Sequence, residues 1–211
     1  TSLPEIEAAA PRALVVGVDR AEGMIAEAPI QFVRSVMDAR HLAFSSSSFD
    51  VVTMSFVLFH VEEPILALRE GARVLRAGGT IGALTWGPSS GYRALDLWYE
   101  QLDALGADPI DERLARHDLV DTPDKMRSLL DRAGFVSIRT WTRPFEHRQS
   151  AEEFMAHRTG HGASKRRFDS LSGTGRRTCL DRVRARLAPL APGDLTDRAE
   201  IVFSTAAAPG R

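Results

Sequence analysis

The sequence predicts an α/β fold: a doubly wound, mostly parallel sheet with helices packed on it, helical insertions that form a cap, and a last strand running antiparallel. Three observations predict it. Short apolar runs rich in β-branched residues, "ALVVGV", "QFVRSVM", "FDVVTMSFVLF" and "TIGALTW", alternate with stretches of helical periodicity, the pattern of βαβ units. The first run is apolar at successive positions, as a strand covered on both faces must be. Polar residues also recur where the runs end, at Asp19, at Asp38 and in the segment Ser55 to His60.

Taken in order, "SLPEIEAAA" reads as a short helix with Ser2 able to cap it and Pro4 tolerated in its first turn. "ALVVGV" is expected as an interior strand, and "AEGMIAEA" as a short helix weakened by Gly23. "QFVRSVM" is the second strand, and the serine run Ser45 to Ser48 a surface loop before the third, "FDVVTMSFVLF". Glu63 and Pro64 open a helix in which Ile65, Leu68, Ala72 and Leu75 recur at helical spacing, closed by Gly78. "TIGALTW" is the fourth strand and "RALDLWYEQLDALG" an amphipathic helix; Asp108 to Asp121 reads as a mobile, lid-like connection. Thr122 caps "PDKMRSLLDRAG", which feeds the strand "FVSIRTW". A capping box at Ser150 and Glu153 starts another helix, Arg158 to Arg186 is rich in Gly, Ser and Arg, and "EIVFSTA" is the last strand.

At 211 residues and 44% hydrophobic content, the chain holds enough apolar material for one sizeable core. One domain over 1–211 is expected, with residues 12–87 as the cofactor-binding half, 88–121 and 145–195 as cap insertions on the substrate side, and no second core. The net charge of -1 gives no general electrostatic reason to expect nucleic acid or an anionic membrane as a partner. No stretch approaches the roughly 20 apolar residues that span a bilayer, so no membrane span and a cytoplasmic location are expected, as a monomer or homodimer. Cys179 is alone, and His117, His147, His157 and His161 lack ligand spacing, so no metal is expected. Lys165, Arg166, Arg167, Arg176 and Arg177 read as a solvated, poorly ordered face.

In a doubly wound sheet the carboxyl ends of the parallel strands meet at one crevice, which brings Asp19, Asp38 and Ser55 to His60 together. An ionised Asp19 can accept both hydroxyls of a ribose. Asp38 can accept from an exocyclic amino group, leaving the backbone N–H of Ala39 for a ring nitrogen, so the pair can hold an adenosine.

The ordered set "VVGVDRAEGM", "MDARHLAFSSSSFDVV", "LFHVEEPILALREGARVLRAGGTIGALTW" and "TPDKMRSLLDRAGFVSIRTW" resembles the class I S-adenosylmethionine-dependent methyltransferases, in particular their small-molecule branch related to ubiquinone/menaquinone-biosynthesis enzymes. The likeness covers Leu14 to Trp141. It implies a Rossmann-like fold that binds S-adenosylmethionine, releases S-adenosylhomocysteine, and methylates a small-molecule acceptor on oxygen, nitrogen or carbon. Asp19, with Arg20 beside it, would hold the ribose, Met24 would pack on the adenine, and Asp38 and Ala39 would contact the adenine edge. Ser55 and Phe56 would line the methionine part. Phe59, Trp86 and Tyr92 would stand on the substrate side, with His60 as the candidate base. "LRAGG" stands where the family commonly has Leu-Arg-Pro-Gly-Gly, a structural turn.

The family's Gly-rich loop after its first strand is missing before Asp19, and the chain begins at Thr1 rather than Met. These two facts lead to the expectation of an upstream segment, and of a central strand position left open between "ALVVGV" and "FDVVTMSF", which would then not be hydrogen-bonded neighbours. Without such a loop the chain is expected to bind the cofactor poorly. Other readings of single residues stay open: Met24, Phe56 and Phe59 as core, His60 as a structural histidine, Trp86 and Tyr92 as cap packing. Two other functions stay open too, an NAD(P)-dependent oxidoreductase and a non-catalytic methyltransferase-like domain. Against the former, no Tyr-x-x-x-Lys dyad is present.

Overall fold

Six strands and eight α-helices emerge in the computed structural model, which describes residues 2–109, 116–160 and 162–210. They are α1 (Leu3–Ala9), β1 (Val16–Asp19), α2 (Glu22–Glu27), β2 (Val33–Val36), β3 (Phe49–Ser55), α3 (Pro64–Val74), β4 (Leu75–Ser89), α4 (Arg93–Ala104), α5 (Pro123–Arg132), β5 (Val136–Arg148), α6 (Ala151–Gly160), α7 (Gly162–Ser170), α8 (Gly173–Leu187) and β6 (Thr196–Ala207). All six strands expected from the sequence form.

They form two sheets. β1 and β2 pair in parallel, and β3, β4, β6 and β5 lie side by side in that order, with β3 parallel to β4 and β6 antiparallel to both its neighbours. The antiparallel last strand therefore sits inside the sheet, and β1 and β3 are not partners. β1 was expected as an interior strand; here one of its edges has no partner among the described residues, and Val18 and Leu14 are exposed. The shortfall is physical: a lone pair of parallel strands cannot cover its own apolar faces.

The main core lies between one face of the larger sheet and helices α3 and α5, with Leu58, Leu68, Ile81, Val120, Met126, Leu130 and Val202 at its centre. α3 packs closely because Gly71 has no side chain: a Cβ there would stand 3.0 Å from Met54 Cε and 3.3 Å from Ile81 Cδ1. Pro64 begins α3 and Thr122 Oγ1 accepts the Lys125 N–H at the start of α5. The "LRAGG" turn needs both glycines. Gly78 has φ +74°, and a Cβ on Gly79 would lie 3.0 Å from the carbonyl oxygens of Arg76 and Asp50. Gly78 thus serves a turn within β4, four residues after α3 has ended at Val74.

Three further expectations need correction. Ser2 makes no side-chain cap to α1. Lys165, Arg166, Arg167, Arg176 and Arg177 do not form a poorly ordered face: they stand on α7 and α8, Arg167 is buried, and the buried Cys179, Val183 and Leu187 of α8 recur every fourth residue. There is also a second core. Trp98, Leu97 and Leu102 of α4 pack against Phe154, Phe168, Cys179 and Val183 of α6 to α8, joining two segments far apart in sequence. The capping box forms as expected: Glu153 accepts the Ser150 N–H at 2.8 Å and Ser150 Oγ accepts the Glu153 N–H at 3.2 Å. Of the connection Asp108 to Asp121, residues 110–115 fall outside the described residues, as does His161. Its end is pinned rather than mobile, because Val120 is fully buried and its carbonyl accepts Thr85 Oγ1 at 2.7 Å.

Candidate cofactor and acceptor site

Parallel pairing puts Asp19 at the carboxyl end of β1 and Ser55 at that of β3, while Asp38 follows the end of β2. Asp19 Oδ1 accepts the Ala21 N–H at 2.8 Å and so orders the turn into α2, whose N-cap residue, Ala21, offers no side-chain cap. Among the described residues, Oδ2 has no hydrogen-bond partner. Arg20 is exposed beside it, and Met24 on α2 is half exposed, which removes the core reading for Met24.

Asp38 is already engaged. Its Oδ1 accepts the Arg40 N–H at 2.8 Å and its Oδ2 accepts Arg40 Nη2 at 2.7 Å, with Nε reaching both oxygens at 3.1 and 3.2 Å. The Arg40 side chain, then its backbone N–H, lower the Asp38 carboxyl to about 2 against burial, which opposes them. Ala39, between them, is half-buried against the main core, and among the described residues its N–H has no hydrogen-bond partner.

Phe56 has φ +56°, a region a bulky side chain rarely enters, while its N–H continues the ladder to Leu84 O at 2.8 Å. The left-handed turn aims its ring across the strand ends: Phe56 lies 4.8 Å from Trp86, and Trp86 lies 5.2 Å from Phe145, edge to face. This row spans β3, β4 and β5. Sequence reasoning missed Phe145; the signal was there in "TRPFEHR", where a lone aromatic interrupts a charged strand. His60 closes a 3₁₀ turn, Leu58–His60, and is exposed, its ring 4.3 Å from Phe59.

The structure does not bring every expected residue to the crevice surface. Phe59 is 4% exposed and belongs to the main core. Tyr92 is buried in the second core, where its phenol oxygen accepts Gln149 Nε2 and Arg158 Nη2, each at 3.2 Å. Burial pushes that phenol above its ordinary range. A groove of about 530 Å³ opens between the starts of α3 and α5, lined by Glu62, Ile65, Lys125, Leu129 and Arg132 among others; none of the expected site residues lines it.

The residues present fit the nucleoside half of S-adenosylmethionine. A free carboxylate oxygen on Asp19 and a free, half-buried donor on Ala39 are the groups a ribose and an adenine ring nitrogen would use. No Gly-rich loop within the chain is available to the methionine half.

Residues 3–83 match the family described as a methyltransferase domain. A demethylmenaquinone methyltransferase of Mycobacterium sp. (strain KMS) is 33% identical over 142 residues, covering 67% of this chain and 57% of its own length. The chain thus spans a little over half of that curated relative. Among solved structures, the phosphoethanolamine N-methyltransferase 2 of Haemonchus contortus in complex with S-adenosylmethionine superposes with a TM-score of 0.52 at 15% identity, over 98% of this chain and 46% of that one. The cyclase SpnF superposes at 0.55 and 20% identity, over all of this chain and 72% of its own. The ordered motifs, the methyltransferase domain matched at 3–83 and the relative at 33% identity agree in supporting a methyltransferase of the class I S-adenosylmethionine-dependent type, and the solved structures show the same fold.

Proposed function

We propose that the protein transfers a methyl group from S-adenosylmethionine to a small-molecule acceptor, and that this chain supplies the adenosine contacts and the acceptor side of the site. The observation that carries the reading is that three groups lie at or just beyond the carboxyl ends of β1, β2 and β3: Asp19 Oδ2 and the Ala39 N–H, both without a partner among the described residues, and the strained turn at Phe56. The kinship with quinone-biosynthesis methyltransferases makes a flat, conjugated acceptor the first class to test.

S-adenosylmethionine supplies a methyl group on a sulfonium, which a nucleophile displaces in line. What the chain contributes is placement and exclusion of water. Asp19 would take the ribose hydroxyls, and Asp38 with Ala39 the adenine edge. Phe56, Trp86 and Phe145 present the apolar wall against which an acceptor is held. His60 stands at the same edge, exposed on its turn, as the group to receive a proton from an acceptor that must lose one. One edge of β1 and one of β3 have no partner among the described residues, and the reading places there a further parallel strand whose backbone amides would serve the methionine half.

Calorimetry with S-adenosylhomocysteine, S-adenosylmethionine and NAD, on this chain and on a version extended upstream, tests the proposal. Binding of S-adenosylhomocysteine to the extended version, weakened at least tenfold by Asp19→Asn, is the expected outcome. NAD binding without S-adenosylhomocysteine binding overturns it in favour of an oxidoreductase. A domain that keeps the fold without methyl transfer would bind neither ligand in either version, and that result also overturns the proposal.

A further inference from the structure

The segment from Asp38 to Ser48 crosses from β2 to β3 with no regular structure beyond a bridge between Asp38 and His41. A segment of this kind is ordinarily free to move. Here it is tied to α3 by one ion pair. Arg73 Nη1 donates to Phe44 O at 2.8 Å and Nη2 to Leu42 O at 2.9 Å. Nε and Nη2 also donate to the two carboxylate oxygens of Glu70, both at 2.8 Å. Glu70 Oε2 in turn accepts the Leu42 N–H at 2.9 Å. Both backbone polar groups of Leu42 are therefore held by side chains of a single helix, as a neighbouring strand would hold them. The α3 backbone adds two more ties, from Ser47 N to Arg73 O and from Ser48 N to Val74 O.

The anchor is rigid. Ala67, Leu68, Gly71 and Val74 of α3 are buried in or against the core, so Glu70 and Arg73 project from a fixed surface. Arginine is needed at position 73 because its planar fork reaches two carbonyls and both carboxylate oxygens at once, which an ammonium cannot do.

We infer that the Arg73–Glu70 pair is a positioning device for the turn Asp38–Ala39–Arg40: it holds that turn in place from behind and thereby sets the affinity for an adenine-bearing ligand without touching it. This rests on the reading of Asp38 and Ala39 as adenine contacts given above. Leu42 lies only three residues beyond Ala39, so freedom at Leu42 becomes freedom of the Ala39 N–H.

The test is hydrogen exchange and calorimetry on Arg73→Lys and Glu70→Gln, with Arg69→Lys, exposed on the same helix, as the control. Arg73→Lys should speed exchange across residues 38–44 about tenfold, the worth of one charge-assisted hydrogen bond. Exchange in α5 and β6 should not change. Affinity of the upstream-extended protein for S-adenosylhomocysteine should fall by a similar factor, and Arg69→Lys should do neither. Unchanged exchange at 38–44 overturns the inference. So does a general acceleration with no local excess, the mark of a merely stabilising pair, and so does a loosened turn with unchanged affinity. If the unsubstituted extended protein binds no S-adenosylhomocysteine, the functional reading is what fails, and the affinity half of the inference falls with it; the exchange data then decide the positioning half alone.

Discussion

Arg40→Ala isolates the one strongly perturbed carboxyl at the candidate site. Asp38 accepts four contacts from Arg40, three from the guanidinium and one from the backbone N–H, and its carboxyl drops from 3.8 to about 2. A carboxyl lowered in the folded state adds stability that is present in full above its unfolded value, near 3.8, and is lost as pH falls through about 2. At ~1.36 kcal/mol per pH unit the full interval corresponds to about 2.4 kcal/mol. Both side chains are about a third exposed, so solvent screening reduces this to about 1 kcal/mol. The backbone hydrogen bond survives the substitution. Arg40→Ala should therefore cost roughly 0.5–1 kcal/mol at pH 7, and the difference should fade between about pH 5 and pH 2. Urea unfolding of both proteins across that range reads the loss, and an NMR titration of the Asp38 carboxyl reads its cause. An Asp38 that titrates near 3.8 in the unsubstituted chain, or a stability loss independent of pH, refutes the reasoning.

Other substitutions test the packing. Phe154→Ala, at a fully buried ring between Tyr92 and Trp98, should cost about 3–4 kcal/mol by guanidinium unfolding, and a loss under 1 kcal/mol would deny the second core its role. Tyr92→Phe leaves the Gln149 and Arg158 donors without their shared acceptor and should cost about 1–2 kcal/mol, read the same way. Trp86→Ala removes the middle of the aromatic row; the extended protein should lose acceptor affinity while its affinity for S-adenosylhomocysteine holds, which competition assays separate.

The strands were legible because each carries β-branched residues in a short apolar run; the parallel α/β pattern anticipated the parallel pairs β1–β2 and β3–β4 but not the split into two sheets or the place of β6 between β4 and β5. Helices α7 and α8 were not legible for a specific reason. Their buried positions include Ser164, Arg167 and Cys179, residues that carry little hydrophobic signal, and Arg167 is buried only because Asp103 and the Asp108 carbonyl meet its guanidinium. The second core was hidden likewise. Trp98 and Leu102 read as one face of an isolated amphipathic helix, and their partners Phe154 and Val183 lie more than fifty residues further on, so no local window contains both halves.

At the site the division falls between residue type and residue engagement. A carboxylate after an apolar run announced Asp19 and Asp38 equally well, yet the two end in different states: Asp19 keeps one oxygen open, while Asp38 is spanned by an arginine two residues on. Nothing in "MDARHL" distinguishes an Arg40 that turns back onto Asp38 from one that points to solvent, because the choice depends on the turn that Leu42 is made to adopt. That turn is fixed by Glu70 and Arg73, about thirty residues away. Periodicity in α3 names only its apolar positions and carries no information about the partners of Glu70 or Arg73. Periodicity picked out Leu68, but Ile65 and Ala72 are only partly buried, Leu75 lies in β4, and Ala67, Gly71 and Val74 carry the rest of the buried face; only the fold told what the other face of α3 holds in place.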